Sequence, residues 1–357
     1  MKIILYLFCG FFISISCYGQ NQDVSDQQKL IKTESTKLPI NPKHQAKLDK
    51  YARSTSFQDE RDILTLASYL VKPAKNDAEK IRVIFSWLAF HIDYDARGLN
   101  TGKYGDLSAE GVLKSRRAVC EGFSNLFQAL CDAAGIEAKR ISGYAKGYGY
   151  SPNQKLLETN HTWNAVKIDG NWYFMDATWG QGYGVSKNGR LIAHQEFDDY
   201  WFAPDPKEFI FTHLPENPAW QLFPDPLSKL QFEQLPYIDP LLFHYGFDQD
   251  SIYTRVMEDK KFRFVSVYST DYPMEILSSP LNQEIQGGEV FTCKIRSKDA
   301  IEIAAINNNN WTTFRKKGDL FELTIRPESG ELSIGARFNK RDKSYQTILQ
   351  YQVVKSY

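Results

Sequence analysis

A cysteine, a histidine and an aspartate stand where they could supply a nucleophile, a base and an orienting acid. Cys120 follows residues 116–119 (RRAV) and begins an apolar stripe of helical spacing, so its thiol is predicted at a helix N-terminus. A thiol is a good nucleophile only as its thiolate, which the free N–H groups and the dipole at that end of a helix stabilise. Glu121 opposes this effect slightly. Cys120 is therefore a candidate for attack on a carbonyl.

The base and the acid are predicted on a hairpin farther along the chain. His161 begins one strand, Asp176 lies on the next, and Asp169-Gly170 is typical of the two-residue turn between them. In that register His161 lies opposite Thr178, and Asp176 is its diagonal neighbour on the same face. A three-residue turn would put Asp176 on the opposite face, so the prediction depends on the register.

These three residues predict acyl transfer through a thioester. Cys120 attacks the carbonyl, His161 takes the thiol proton and later protonates the leaving amine, and Asp176 orients His161. The thioester then passes to water or to an amine, and the triad does not decide between hydrolysis and crosslinking. Trp163 and Trp179 flank the triad, where they either pack beneath the site or bind substrate as a wall of the acyl groove.

Other reactive side chains have simpler predicted roles. Cys131 and Cys293 lie on predicted core faces and are expected to be inert. His91 is expected near a helix end as a capping or solvated residue. His213 is left open between a structural hydrogen bond and a place in the substrate cleft. Lys146 is expected to be solvated, with contact to an acidic substrate group as the alternative.

Hydrophobic periodicity predicts the elements that carry these residues. Helices are expected from near Gln58, from a cap at Asn76, from Ser108, and from Cys120 to Gly135. Strands are expected at 137–144, 161–168 and 172–179, and 185–226 is predicted as loop with a linker at Pro224-Asp225-Pro226. Farther on, apolar residues alternate with polar ones in five runs: 291–295, 301–305, 321–325, 332–338 and 345–353. This alternation predicts an antiparallel β-sandwich.

The composition is that of an ordinary globular protein. The chain has 357 residues, with 42% hydrophobic and 24% charged residues, and Lys+Arg and Asp+Glu are both 43. A net charge of zero argues against nucleic acid as a partner. We found no phosphate-binding loop and no dinucleotide motif, so no cofactor is expected. The oligomeric state stays open.

The first residues are typical of an export signal. Lys2 precedes an apolar run from Ile3 to Ile15 that is too short to span a bilayer, and small residues permit cleavage after Gly19. Lipidation of Cys17 is the alternative. Residues 1–19 are therefore predicted to be a signal peptide and 20–42 a flexible leader. The protein is expected in the periplasm or outside the cell, with no transmembrane segment.

Four ordered motifs resemble the transglutaminase-like superfamily: 118–124 (AVCEGFS), 141–147 (ISGYAKG), 160–166 (NHTWNAV) and 172–180 (WYFMDATWG). Residues 200–202, 206–213 and 220–222 resemble the branch typified by kyphoscoliosis peptidase. The resemblance implies a papain-like α+β core with nucleophile, base and acid at Cys120, His161 and Asp176. It also implies an Ig-like C-terminal domain. Zinc-bearing relatives use paired Cys-x-x-Cys motifs, which this sequence lacks, so no metal is expected.

The expected fold is therefore α+β, with a catalytic domain at 43–226 followed by the β-sandwich at 227–357. The expected function is thioester-mediated acyl transfer on peptide or protein amides, as a peptidase or amidase ahead of a crosslinking enzyme. Cell-envelope proteins would be accessible substrates after export. A catalytically inactive peptide-binding or envelope scaffold is the alternative.

Overall fold

The computed structural model describes residues 5–6, 38, 40–56, 60–151 and 154–355. The chain divides into two compact units, Met1–Gln234 and Leu235–Tyr357. Among the described residues, no helix combines the length and the apolar character needed to cross a bilayer. The remainder of the predicted leader lies outside the described residues, as does Cys17.

The four-stranded sheet of the first unit shares one hydrophobic core with the helices of that unit. They are α1 (Pro42–Arg53), α2 (Ile63–Leu70), α3 (Asp77–His91), α4 (Ala96–Thr101), α5 (Ala109–Ser115), α6 (Cys120–Ala133), α7 (Ala177–Gln181), α8 (Pro206–Phe209) and α9 (Lys229–Gln234). Asn76 caps α3 by accepting a hydrogen bond from the Glu79 amide, and Ser108 caps α5 in the same way. The predicted helix starts at Asn76, Ser108 and Cys120 are thus confirmed. Helix α1 was not predicted, although Asn41-Pro42 is a strong start signal.

The central sheet is antiparallel and carries the predicted hairpin. Its strands, in the order β6-β5-β4-β9, are β4 (Ala138–Ala145), β5 (His161–Ile168), β6 (Asn171–Met175) and β9 (His213–Pro215). Asp169 and Gly170 have φ values of 50° and 83°, as a two-residue turn of this kind requires. Ile168 therefore pairs with Asn171 and Asn164 with Met175, which confirms the predicted register. The second strand ends at Met175, so Asp176 and Trp179 lie beyond it.

The stretch predicted as loop, 185–226, contains more regular structure than expected. Strands β7 (Gly182–Lys187) and β8 (Arg190–Gln195) form a hairpin, and α8 and β9 follow. These elements are short, and several begin at a proline, so their hydrophobic pattern is too brief to stand out in the sequence. A parallel pair, β2 (Asp93–Tyr94) with β3 (Arg117–Ala118), lies just before Cys120 in the chain. Strand β1 (Leu5–Tyr6) pairs with β7.

The second unit begins with helices α10 (Leu241–His244) and α11 (Gln249–Glu258) and continues as two sheets. Its strands are β10 (Ser266–Val267), β11 (Glu275–Ser278), β12 (Glu284–Gln286), β13 (Phe291–Arg296), β14 (Glu302–Asn307), β15 (Asn310–Thr313), β16 (Arg315–Lys317), β17 (Leu320–Ile325), β18 (Gly330–Arg337) and β19 (Gln346–Val354). One sheet runs β10-β19-β18-β14-β15 with β12 beside β19, and the other runs β11-β13-β17-β16. All five predicted alternating runs are strands. The fold class is thus α+β with a C-terminal β unit, and the β12–β19 pair is parallel.

Candidate active site

Cys120 is the first residue of α6, and its side chain is buried with 5% of its surface exposed. Val119, at the cap position, makes no side-chain capping hydrogen bond. The first N–H groups of α6 are therefore not used by a capping side chain, and the positive end of the helix dipole lies at the thiol. This is the helix position that the sequence predicted for the thiol.

Two side chains fasten α6 to the strand that begins at His161. The Ser124 hydroxyl lies 2.9 Å from the Cys120 carbonyl oxygen and 3.0 Å from the Thr162 carbonyl oxygen. The Asn164 amide donates to the carbonyl oxygen of Ser124 at 3.1 Å. All of these groups are buried or partly buried, so the contacts are shielded from competing water. The helix carrying the thiol and the strand carrying the imidazole are thus held as one rigid body.

His161 and Asp176 are brought together as the register predicted. The Nε2 atom of His161 lies 2.7 Å from Oδ2 of Asp176, and both side chains are buried. Asp176 also caps α7, because its Oδ1 accepts the N–H groups of Thr178 at 2.9 Å and Trp179 at 3.0 Å. The carboxylate is therefore both the partner of the imidazole and the start of a helix, which fixes its orientation.

A second histidine shares the same carboxylate oxygen. Nε2 of His213 lies 3.1 Å from Oδ2 of Asp176, while its Nδ1 lies 2.8 Å from the hydroxyl of Thr212. The ring is fully buried and stacks on Phe209 with centroids 3.9 Å apart. Burial lowers the pKa of His213 to about 4 against the opposing effect of Asp176. His213 is therefore neutral at pH 7, donates Nε2–H to Asp176 and accepts from Thr212.

The environment of Asp176 keeps it ionised. Burial alone would raise the pKa of the Asp176 carboxyl, but the charge of His161 and hydrogen bonds from both histidines outweigh it and hold that pKa below its ordinary value. Its two oxygens then accept four hydrogen bonds, two from backbone amides and two from imidazoles. A buried carboxylate satisfied in this way can remain charged in the core.

This arrangement leaves one nitrogen of His161 available for chemistry. When Nε2–H donates to Asp176, the lone pair of Nδ1 is the basic site. Nδ1 is buried and has no hydrogen-bond partner within the part of the chain that the structure describes. An ionised carboxylate behind an imidazole with a free lone pair is the arrangement that accepts a proton from a nucleophile.

The two tryptophans predicted to bind substrate are both buried next to His161. Trp163 is 1% exposed and Trp179 is 0% exposed, and their rings lie 5.9 Å and 5.5 Å from the His161 ring. Both also contact His213. These contacts support packing around the imidazoles. Contact between either ring and a substrate stays a prediction.

His161, Asp176 and His213 are close enough together that they could hold a metal ion. Their nitrogen–oxygen distances of 2.7 Å and 3.1 Å are those of direct hydrogen bonds. A metal would have to replace the proton on each of the two nitrogens, and the oxygen already serves both. The donor set therefore fits a hydrogen-bonded cluster better than a metal centre.

The remaining reactive side chains have structural positions. Among the described residues, Cys120, Cys131 and Cys293 form no disulfide, and burial raises the pKa of Cys131 and that of Cys293, the latter to about 12. His91 ends α3, and its Nε2 lies 3.0 Å from the Ala52 carbonyl oxygen. It thus lies at the predicted helix end but also binds a different helix, α1, and is partly buried, with 21% of its side chain exposed.

The prediction of a solvated Lys146 is wrong. Its side chain is 1% exposed, and the ammonium donates to the Phe232 carbonyl oxygen at 2.6 Å. Burial lowers the pKa of Lys146 to about 7, against the opposing charge of Glu233. The partner carbonyl lies 86 residues away in sequence, in α9, and no local pattern announces such a contact.

The place of His213 at Asp176 was the main feature that sequence reasoning missed. His213 begins β9, which pairs with the end of β4 so that His213 lies opposite Ala145. Neither strand has a periodic pattern long enough to predict this pairing. The only sequence signal was its position within the motif at 206–213, which left its role open.

The comparisons with known proteins agree with this geometry. Residues 64–177 match the model of the transglutaminase-like superfamily. Kyphoscoliosis peptidase of Homo sapiens is 33% identical over 201 residues, 56% of this chain and 30% of that protein. Hillarin of Drosophila melanogaster is 33% identical over 217 residues, 56% of this chain and 25% of that protein. The Lim and transglutaminase domain protein ltd-1 of Caenorhabditis elegans is 32% identical over 228 residues, 60% of this chain and 31% of that protein.

These relatives change one prediction and limit others. The match spans about a third of the length of the first curated relatives. The prediction of an exported periplasmic or extracellular protein is wrong, because the curated relatives that the chain matches are eukaryotic proteins, from mouse, human, fly and worm. An apolar run near the start of a chain is a weak signal by itself, since the same composition also occurs in folded segments. Of residues 1–19, the structure describes only the backbone of β1.

Proposed function

This chain contains a domain of the transglutaminase-like superfamily and resembles the branch of kyphoscoliosis peptidase, and on that premise we propose that it is a cysteine acyltransferase acting on amides of peptides or proteins. Cys120 is the nucleophile, His161 the general base and acid, and Asp176 the residue that orients the imidazole. His213 positions Asp176 through its Nε2–H. The observation that carries the proposal is the buried His161–Asp176 hydrogen bond, which leaves Nδ1 of His161 without a partner among the described residues.

In the first half-reaction the Cys120 sulfur forms a bond to the amide carbonyl carbon, and Nδ1 of His161 takes the thiol proton. That proton then passes to the amide nitrogen, which leaves as an amine when its bond to carbon breaks. The thioester is the product of this step. The Cys120 N–H at the start of α6 is a candidate donor to the oxyanion that forms on the way.

In the second half-reaction water or an amine attacks the thioester. We favour hydrolysis, because water needs no binding site of its own, whereas crosslinking needs a second, amine-bearing substrate. The low exposure of Cys120 (5%) and His161 (4%) supports this order, since little room is left for a second large molecule. The proposed activity is therefore peptidase or amidase ahead of transglutaminase.

Site-resolved iodoacetamide labelling of the folded chain from pH 5 to pH 9, read by mass spectrometry, tests the proposed thiolate–imidazolium pair. Cys120 should react rapidly below pH 7, where a thiol of ordinary pKa near 8.5 is mostly protonated. The His161→Ala variant should lose this acid-side reactivity. His194→Ala is the matched control, because His194 is an exposed histidine of the same unit.

If Cys120 reacts like an ordinary thiol in the wild type, or if His161→Ala leaves its reactivity unchanged, the proposed mechanism is wrong. If the thiolate–imidazolium pair is present, an assay with a glutamine-containing peptide and a fluorescent primary amine separates hydrolysis from transfer to the amine. Release of acid product without amine incorporation identifies hydrolysis. Incorporation of the amine identifies transfer.

The burial of the nucleophile also supports a second candidate function. A chain whose thiol and imidazole are both almost inaccessible could bind peptides without turning them over, and its second unit would then serve as a docking module. The Cys120→Ala variant separates the two candidates. If the Cys120→Ala variant still processes peptides, the proposed enzyme is excluded. If processing stops while peptide binding survives, the enzyme is supported.

A further inference from the structure

A cavity of about 740 Å³ lies beside the elements that carry Cys120 and Asp176. Its wall includes Arg117 in the short strand β3, three residues before Cys120. It also includes Gln181, the last residue of the helix α7 that Asp176 caps. Three residues of extended chain span at most about 11 Å, so Arg117 cannot be farther than that from Cys120, Cα to Cα. One wall of the cavity is therefore formed by a residue whose Cα lies within about 11 Å of that of the proposed nucleophile.

The cavity holds three arginines whose side chains make no ion pair or hydrogen bond among the described residues: Arg97, Arg117 and Arg190. The other arginines of the first unit all have partners. Arg61, Arg82, Arg116 and Arg140 pair with carboxylates, and Arg53 lies over the ring of Phe90. The arginines without partners in this unit are thus gathered at one place. All three are exposed to solvent, so their guanidinium groups are available to a ligand in the cavity.

The acidic residues of the cavity do not neutralise this charge. Asp93 and Asp95 line the same wall, so three positive groups face two negative ones. Asp95 is already used locally, because its Oδ1 accepts a hydrogen bond from the Gly98 amide at 2.9 Å as the cap of α4. The free guanidinium groups can bind a carboxylate in the bidentate geometry that arginine favours.

Gln181, which lines the same cavity, carries a buried acceptor. It is 2% exposed, and its Oε1 has no hydrogen-bond partner among the described residues. Buried amide oxygens in native proteins are nearly always satisfied by a protein group or an ordered water, so this oxygen calls for a donor that the described residues do not supply. The N–H group of a bound peptide is one such donor.

We infer that this cavity is a substrate subsite that binds a carboxylate within about three residues of the attacked amide, so that the preferred substrates are acidic peptides. The inference rests on the proposed function for the role of the bound peptide, although binding itself needs no catalysis. The carboxylate can come from an Asp or Glu side chain or from the C-terminus of the peptide. Arg117 and Arg190 are the residues whose loss should weaken the interaction.

Binding of synthetic peptides to the full chain carrying Cys120→Ala tests this subsite. The probes are fluorescein-labelled alanine octapeptides with blocked termini and one glutamate at each position in turn. Matched peptides carry glutamine, and one peptide has a free C-terminus. Fluorescence anisotropy gives the dissociation constants. Glutamate should bind about tenfold more tightly than glutamine at the best position, as one good charge-assisted hydrogen bond provides. A free carboxyl terminus that binds as tightly identifies the terminus as the source.

Arg117→Gln and Arg190→Gln, each added to Cys120→Ala, should weaken glutamate binding about tenfold and leave glutamine binding unchanged. Arg61→Gln, an exposed arginine outside the cavity, is the matched control and should change neither. Equal affinity for all the peptides, or no binding of any of them, overturns the inference. So does an equal loss on Arg61→Gln. If arginine-dependent binding is found but Cys120 shows no activated thiol in the labelling experiment, only the proposed function fails.

Discussion

The two units differ in what their cores contain. In the first unit, buried ionisable side chains lie among the apolar ones: Glu79, Arg82, Lys146, His161, Asp176, Asp205, Glu208 and His213. In the described part of the second unit the buried polar side chains are Ser297 and Asn307, both neutral. Each unit also buries cysteine, and the thiol of the second unit, Cys293, lies among apolar residues of β13 with a pKa raised to about 12 by burial.

This difference indicates which unit has a function that depends on its core. Burying a charge costs free energy unless it is paired, so a core without charges is the easier one to stabilise. Three of these side chains, His161, Asp176 and His213, meet in one cluster. Buried groups with shifted pKa values, such as Asp176 and His213, are a common mark of a functional site. Paired substitutions, one in each unit, test whether the two cores differ in this way.

The largest difference is expected between the thiols. At pH 7 a thiol with a pKa of about 12 is thiolate in about one molecule in 10⁵, so Cys293 should be almost inert to iodoacetamide in the folded chain. Cys120 should react at least a hundredfold faster, because a helix N-terminus and an imidazole favour its thiolate. Labelling rates from mass spectrometry give the ratio. Equal rates would remove the chemical distinction between the units.

The next largest difference is expected between two buried side chains that each make several hydrogen bonds, Asp176 in the first unit and Asn307 in the second. Asp176→Ala removes the acceptor of four hydrogen bonds and should lower the free energy of unfolding by about 4 kcal/mol, since it also leaves buried donors unpaired. Asn307→Ala removes a neutral amide that binds the backbone at Glu328 and Glu331 and should cost about 2 kcal/mol. Urea unfolding followed by circular dichroism measures both. A larger loss for Asn307→Ala would contradict the view that the charged cluster is the more critical one.

Lys146 and Lys316 both donate to a backbone carbonyl oxygen but differ in burial. The folded-state pKa of Lys146 is about 7, below that of the unfolded chain at about 10.4, so the unfolded state binds more protons between these values. The free energy of unfolding should therefore rise from pH 7 to pH 9 by about 2 kcal/mol relative to Lys146→Met, which lacks this titration.

Lys316 is the control for that measurement. It donates to the Ala300 carbonyl oxygen at 2.8 Å and lies over the Phe321 ring, much as Lys146 lies over Phe232, but its side chain is exposed. Lys316→Met should keep the pH dependence of the wild type. Urea unfolding midpoints at pH 7, 8 and 9 test this prediction. If the midpoint depends on pH in the same way for the wild type and for Lys146→Met, burial does not shift the pKa of Lys146.

The smallest effects are expected from two buried serines. Ser124→Ala removes one of the two side-chain links between α6 and β5 and should cost about 1 kcal/mol and slow Cys120 labelling severalfold. Ser297→Ala removes the acceptor for the Ala300 amide and should cost a similar amount without changing the labelling rate. The pair distinguishes loss of stability from loss of alignment. If both variants slow labelling equally, Ser124 has no special role in positioning the thiol.

Much of the fold followed from local patterns. The strands of the second unit have polar and apolar residues in alternation, because each lies with one face on the core and one face outward. The hairpin register followed from Asp169-Gly170, whose backbone angles suit only a short turn. The helix start at Cys120 followed from its apolar stripe. Each of these signals is contained in fewer than about twenty consecutive residues.

Local sequence patterns were therefore enough to predict most of the helices near the site, the alternating strands of the second unit, the pairing of His161 with Asp176 and the place of the thiol at a helix start. Only the tertiary structure decided that His213 shares Asp176, that Lys146 is buried against α9 and that three arginines without partners meet in one cavity. The partners of His213 and Lys146 lie 37 and 86 residues away. Contacts at such separations depend on how whole elements pack, and neither periodicity nor turn chemistry carries that information.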